Sequence, residues 1–182
     1  MAMDFGLFRF ASPPRTATSW IKQAAVMCGL TELEPNKVHV PHDLAEKNTI
    51  KLSTVRHPCS WLASYYVEIY PGVVGIPEVD CFRPSLCIPT FDAFVRSYLM
   101  DLCSVGLMFK AYNADVCLRV EDLPWAFIEF LESLGVPKKM RERCLALTPQ
   151  NSSKRERHPT WSPSLRARVL EAERAFLQEY HY

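Results

Sequence analysis

The sequence predicts an α/β fold: a mostly parallel central sheet flanked by helices. Two observations carry this expectation. Three short segments rich in apolar or β-branched residues, 5–11, 48–55 and 115–120, are each followed by a stretch of helical periodicity. Strands that alternate with helices pair in parallel, because parallel neighbours need a crossover connection. The 182 residues suit a single domain covering 1–182, and 48% hydrophobic content is enough to build a core for it.

The elements follow in order. Residues 5–11 form the first strand, and Ser12, Pro13 and Pro14 make a tight turn after it. Trp20, Ile21, Ala24, Ala25 and Met27 then recur as one face of a helix. Residues 37–40 suit a short strand that Pro41 stops. The second main strand, 48–55, closes on Arg56 and His57, and Pro58 fits the first turn of the next helix. Trp61, Leu62, Tyr65, Tyr66 and Ile69 mark that helix, which Pro71 and Gly72 end.

Residues 72–89 include Pro77, Pro84 and Pro89 and read as a long irregular segment, a candidate wall for a bound substrate. Thr90 can cap a helix through Phe91, Phe94, Val95, Tyr98 and Leu99. Residues 115–120 are the third strand. Asp122 is placed to cap a helix through Phe127, Ile128, Leu131 and Leu134, terminated by Gly135 and Pro137. A short helix is expected over 138–147 and a polar, basic connection over 148–161. Ser162 and Pro163 open a last amphipathic helix with Leu165, Val169, Ala172, Phe176 and Tyr180 on one side.

Charge and cysteine usage narrow the function. A net charge of +1 provides no global field for nucleic acid, so basic function must be local. No apolar run approaches the roughly 20 residues that span a bilayer, and no basic leader precedes the first strand. The expectation is a cytoplasmic protein without a membrane or nucleic-acid partner. The seven cysteines include no C-x-x-C pair and are expected to be reduced, mostly buried thiols and not metal ligands.

The most informative stretch is Ser12-Pro13-Pro14-Arg15-Thr16-Ala17-Thr18-Ser19-Trp20. A strand, a tight loop and a helix start present free backbone N–H groups to an anion. Arg15 adds charge, and Thr16, Thr18 and Ser19 add hydroxyl donors. The glycine-rich nucleotide loop G-x-x-x-x-G-K-[ST] is absent. The plain alternative is a helix start with a surface arginine. In a parallel sheet, ligands bind at the carboxyl ends of strands. Arg15 and Arg56 would both stand there, as a ligand with two separated phosphates requires.

Four segments in the same order resemble the cytosolic-type sulfotransferases. Residues Arg15 to Trp20 are similar to that family's 5′-phosphosulfate loop, a basic residue followed by Ser or Thr, Gly, Thr, Thr and Trp. Lys37-Val38-His39-Val40-Pro41 resembles its Lys-Thr-His-Leu-Pro segment. Val55-Arg56-His57-Pro58 with Ser64 resembles its 3′-phosphate segment, in which a Ser lies eight residues after the Arg. Leu118-Arg119-Val120-Glu121-Asp122-Leu123 resembles its Tyr-Glu-Asp-Leu strand-to-helix junction. This chain departs from the pattern with Ala17 in place of Gly and Arg15 in place of the commoner Lys.

The resemblance implies a P-loop NTPase-like sulfotransferase fold. It implies an enzyme that moves a sulfuryl group from 3′-phosphoadenosine 5′-phosphosulfate (PAPS) to a hydroxyl or amine on a small-molecule or glycan acceptor, with no metal. Arg15, Thr16, Ala17, Thr18 and Ser19 would hold the 5′-phosphate, Arg56 and Ser64 the 3′-phosphate, and Trp20 would stack on adenine. Lys37 would reach the transferred group, and His39, with an ordinary pKa of about 6.5, would take the acceptor proton. His42 and then Asp43 are the alternative bases, Ser60 could share the role of Ser64, and Trp20 could be a core residue. Competing functions are a non-catalytic nucleotide-binding protein of the same fold and a small nucleotide-dependent kinase.

Overall fold

Gly6 and Asp4 fold the N-terminal segment into a hairpin, so the strand expected over 5–11 shortens to 8–10 and an unexpected strand, 3–4, precedes it. Gly6 takes φ 76°, a left-handed conformation open to glycine at little cost. The Asp4 carboxylate accepts a hydrogen bond from the Gly6 amide at 2.7 Å, and Phe5 N donates to Phe8 O at 3.0 Å. β1 (Met3–Asp4) therefore pairs antiparallel with β2 (Phe8–Phe10). Asp4 lies directly opposite Arg9, and their side chains form an ion pair at 3.0 Å.

The structure, a computed structural model, describes residues 3–33, 41–42, 49–69, 90–100, 104–147 and 159–182. The expected strand at 37–40 and the long segment 72–89 lie outside them. β3 (Ile50–Val55) and β4 (Val116–Arg119) complete a four-stranded sheet in the order β1-β2-β3-β4. β2 with β3 and β3 with β4 are parallel. This is the expected α/β architecture with a mostly parallel sheet. The helices are α1 (Thr18–Met27), α2 (Pro58–Ile69), α3 (Phe91–Met100), α4 (Val105–Lys110), α5 (Trp125–Ser133), α6 (Lys138–Arg141), α7 (Pro163–Ala172) and α8 (Arg174–Glu179).

The chain divides into two compact units, each built from two stretches. One is Met1–Arg56 with Lys110–Lys154, and the other is His57–Phe109 with Arg155–Tyr182. The first holds the sheet. Phe8, Phe10 and Leu52 from the strands pack with Trp20, Ile21, Ala24 and Ala25 of α1 and Phe127, Phe130 and Leu131 of α5. Phe8 meets Phe130 edge-on at 5.2 Å. Burying an aromatic or aliphatic side chain of this kind stabilises the fold by about 1.5–3 kcal/mol each. Gly135, at φ 77°, ends α5 as expected, with Val136 N closing onto Leu131 O at 3.0 Å.

The second unit is helical. Trp61 stacks on Tyr65 along α2 at 4.6 Å, Phe91 of α3 meets Trp161 at 4.8 Å, and Phe109 of α4 stacks on Phe176 of α8 at 5.2 Å. Its polar centre is Glu173, only 2% exposed. The carboxylate accepts hydrogen bonds from Tyr98 Oη, from Ser104 Oγ at 2.8 Å, and from the α4 amides Val105 N at 2.9 Å and Gly106 N at 3.0 Å. A buried carboxylate is tolerated only when its lone pairs are occupied in this way.

Several sequence expectations are corrected. Asp122 does not cap α5; its carboxylate pairs with Arg119 at 2.5 Å, and the helix begins at Trp125 after Pro124. The helix expected over 138–147 is α6 followed by a 3-10 turn, Glu142–Ala146. The last amphipathic helix breaks at Glu173 into α7 and α8, and Ala172, expected on the apolar side, is exposed. Two expected caps are present: Pro58 opens α2, and Ala93 N donates to Thr90 Oγ1 at 3.3 Å ahead of α3.

Two outcomes follow from the Glu173 centre. In an ordinary helix, Gly→Ala gains up to about 1 kcal/mol. At Gly106 an added Cβ would stand 2.9 Å from Phe176 Cβ and 3.1 Å from Glu173 Oε2. Gly106→Ala therefore destabilises, by about 1–3 kcal/mol in urea unfolding. Burial and the neighbouring Glu173 charge also raise the Tyr98 pKa above its ordinary value of 10.0. A raised folded-state pKa means that the stability it carries is full below about pH 10 and is lost above it. Alkaline unfolding curves should show that loss, and Tyr98→Phe should flatten it.

Candidate functional site

The candidate site grows from the carboxyl ends of β2 and β3. Past β2 the ladder continues for one more bond, Ala11 N to Leu52 O at 3.1 Å, and the chain then turns at Ser12, Pro13 and Pro14. Thr16 Oγ1 donates back to Pro13 O at 2.5 Å, and Ser12 Oγ and Thr18 Oγ1 share a hydrogen bond at 3.0 Å. Ser12 and Thr16 are fully buried, Arg15, Ala17 and Thr18 are half-buried, and Ser19 is exposed. The loop thus has an anchored inner side and an open outer side.

β3 holds that loop from beneath. Thr54 Oγ1 donates to Thr16 O at 2.5 Å, and Arg56 Nη1 donates to Arg15 O at 3.1 Å. Thr54 and Arg56 are two residues apart at the strand end, which carries their side chains to one side. Arg15 and Arg56 thus follow the ends of neighbouring strands, with Arg56 clasping the backbone of Arg15. Thr54 was not singled out in the sequence, and Ser12 was read only as a turn residue. Their signal was the Thr54–Arg56 alternation and the hydroxyl at the first turn position.

The loop backbone is itself unusual. Arg15 and Ala17 both have positive φ, 66° and 61°, with Thr16 between them. Backbones that alternate between left-handed and ordinary conformations turn successive N–H groups to one side and form an anion-binding concavity. Ala17 is also the N-cap of α1 and makes no side-chain cap bond. The first amides of a helix have no intrahelical acceptor, and they sit at the positive end of its dipole. The start of α1 follows directly on these two left-handed residues.

The remaining sequence-predicted residues fall as follows. Trp20 is 5% exposed and packs edge-on against Phe127 at 5.9 Å, so its ring anchors α1 in the core. Ser64 lies on α2 in the second unit, 7% exposed, and Ser60 one turn earlier is exposed. Lys37, His39 and Asp43 lie outside the described residues. His42, the alternative base, is 4% exposed and its Nε2 donates to Leu52 O at 3.0 Å. Because a carbonyl only accepts, that nitrogen carries the proton and His42 fastens its segment to the sheet. Among the described residues, no group of three His, Cys, Asp or Glu is placed to hold a metal ion, and no helix is long and apolar enough to cross a membrane. The chain matches no protein-family model, no curated protein and no solved structure.

The left-handed Ala17 makes a signed prediction. A Cβ in that conformation costs about 1–2 kcal/mol, and glycine gives back about 0.4–1 kcal/mol through the unfolded chain. Ala17→Gly should therefore raise stability, by up to about 1.5 kcal/mol. Ala17→Val, β-branched at positive φ, should lower it by at least as much. Urea unfolding of both variants measures the difference.

Proposed function

We propose that the chain binds PAPS and transfers its sulfuryl group to a hydroxyl or amine of a small-molecule or glycan acceptor, through a P-loop-like sulfotransferase fold. The observation that carries this reading is the backbone at residues 15–17. The resembled pattern places Gly at position 17, and glycine is the residue that takes positive φ without cost. This chain holds φ 61° there with Ala. A left-handed backbone at the position where the pattern has Gly supports the reading although the residue here is Ala, which holds that conformation against a local cost.

The chemistry assigns tasks accordingly. Sulfuryl transfer, by analogy with phosphoryl transfer, passes through a loose transition state, so positioning and charge stabilisation supply most of the catalysis. The amides of Thr16, Ala17, Thr18 and Ser19 hold the 5′-phosphate. Arg15 neutralises the charge that grows on it as the sulfuryl group departs. Arg56 reads the 3′-phosphate while bracing the loop, with Ser64 assigned the same phosphate by the resemblance alone. Lys37 reaches the group in flight and His39 takes the acceptor proton, both from the resembled segment. Trp20 is given no stacking task, since its ring serves the core.

The test is calorimetric titration with 3′,5′-adenosine bisphosphate, AMP and ATP. The bisphosphate should bind tightest. Because Arg56 also clasps Arg15 O, Arg56→Ala should weaken both AMP and the bisphosphate, with an excess loss on the bisphosphate of about tenfold or more, the value of one charged hydrogen bond. Equal losses on the two ligands would remove the 3′-phosphate from Arg56.

A further inference from the structure

The C-terminal end of α1 lies against the 3-10 turn Glu142–Ala146, and one cysteine from each is buried between them. Cys28 is the C-cap of α1, and Cys144 is in the turn. Both are fully buried free thiols. Cys144 Sγ donates to Arg141 O at 3.0 Å, and Cys28 Sγ reaches the same oxygen at 3.6 Å. Two buried sulfurs gathered on one carbonyl oxygen are placed to approach the S–S distance of about 2.05 Å.

We propose that Cys28 and Cys144 are an oxidative modification site, a dithiol that peroxide closes into an intramolecular disulfide in the folded chain. This stands apart from the nucleotide reading, since neither residue belongs to the loop. Arg143 is the charged neighbour of Cys28 and opposes the effect of burial on its thiol, while Cys144 has burial and the adjacent Cys28 both acting against ionisation. Either thiolate can attack first, and the step is the same with the two residues exchanged; Cys28 stands here as the attacker. Its sulfur bonds to one peroxide oxygen, the O–O bond breaks and hydroxide leaves, giving a sulfenic acid on Cys28. The Cys144 sulfur then attacks that sulfur, the S–S bond forms, the S–O bond breaks and a second hydroxide leaves. The two thiol protons convert the two hydroxides to water, and hydrogen peroxide takes up the two electrons.

The thiolate is the nucleophile, and burial holds both thiols above their ordinary value, Cys144 at about 12. Below those values the thiolate fraction rises tenfold per pH unit, so closure should speed up about tenfold from pH 7 to pH 8. The experiment treats the full chain, kept folded and followed by circular dichroism, with hydrogen peroxide. It is then quenched in denaturant with an alkylating reagent and digested without reductant for mass spectrometry. The expected result is a peptide pair joining Cys28 to Cys144, two hydrogens lighter than the separate thiols. Dithiothreitol should reverse it, and it should be missing in Cys28→Ser and Cys28→Ala. Recovery of both cysteines as alkylated thiols from the folded chain, bridges from either to another cysteine, or closure seen only in the unfolded chain would overturn the proposal.

Discussion

The hydrogen bond from Thr54 to the Thr16 carbonyl is the constraint on which the candidate site depends. It crosses from the end of β3 to the loop after β2, and both partners are fully buried. A buried carbonyl left without a partner costs about 1–3 kcal/mol, so this bond fixes the height of the loop above the sheet. On either side of Thr16, both Arg15 and Ala17 take positive φ. Arg56 then fastens the Arg15 carbonyl from the same strand. The loop held in this way leads directly into the start of α1, whose first amides have no intrahelical acceptor. Local strain of this kind persists only where surrounding contacts determine it, and here those contacts are named: Thr54, Arg56, the Ser12–Thr18 hydroxyl pair and the Thr16–Pro13 bond.

The second unit solves a different problem with a similar device. Helices α7 and α8 break at Glu173, and α4 begins beside it. A helix start needs acceptors and a buried carboxylate needs donors, so the two defects satisfy each other. Tyr98 and Ser104 fill the remaining lone pairs. Ser104 Oγ also accepts from Leu107 N at 3.3 Å, which makes it a cap for α4 as well.

How far the sequence could be read follows from what each residue type constrains locally. Strand and helix alternation was legible because 5–11, 48–55 and 115–120 are rich in apolar or β-branched residues against polar turns, and the α/β class followed. Pro58, Thr90 and Gly135 were legible because their roles are set within a few residues. The hairpin at Gly6 was not read, because it depends on the Asp4 side chain turning onto a neighbouring amide. Glu173 was not read either. Its spacing from Val169 and Phe176 puts it on the apolar face, but an acid is ordinarily assigned to solvent until its donors on α3 and α4 are seen. At the candidate site, the loop composition and the Arg56 position were visible in the chain. The bonds that join them span 41 and 38 residues, and no local pattern encodes such a pairing. Trp20 reads equally as a stacking platform or a core residue until Phe127 is placed beside it.

The central claim is that the amides of the 15–19 loop form a cradle for phosphate. The most direct measurement is a two-dimensional 15N–1H NMR titration of the full chain with 3′,5′-adenosine bisphosphate. The account predicts that the largest shifts fall on the amides of Thr16 to Ser19 and on the Arg56 guanidinium, with a single binding curve common to all of them. Binding that leaves those amides unmoved while shifting others, or no saturable shift at millimolar nucleotide, would contradict it.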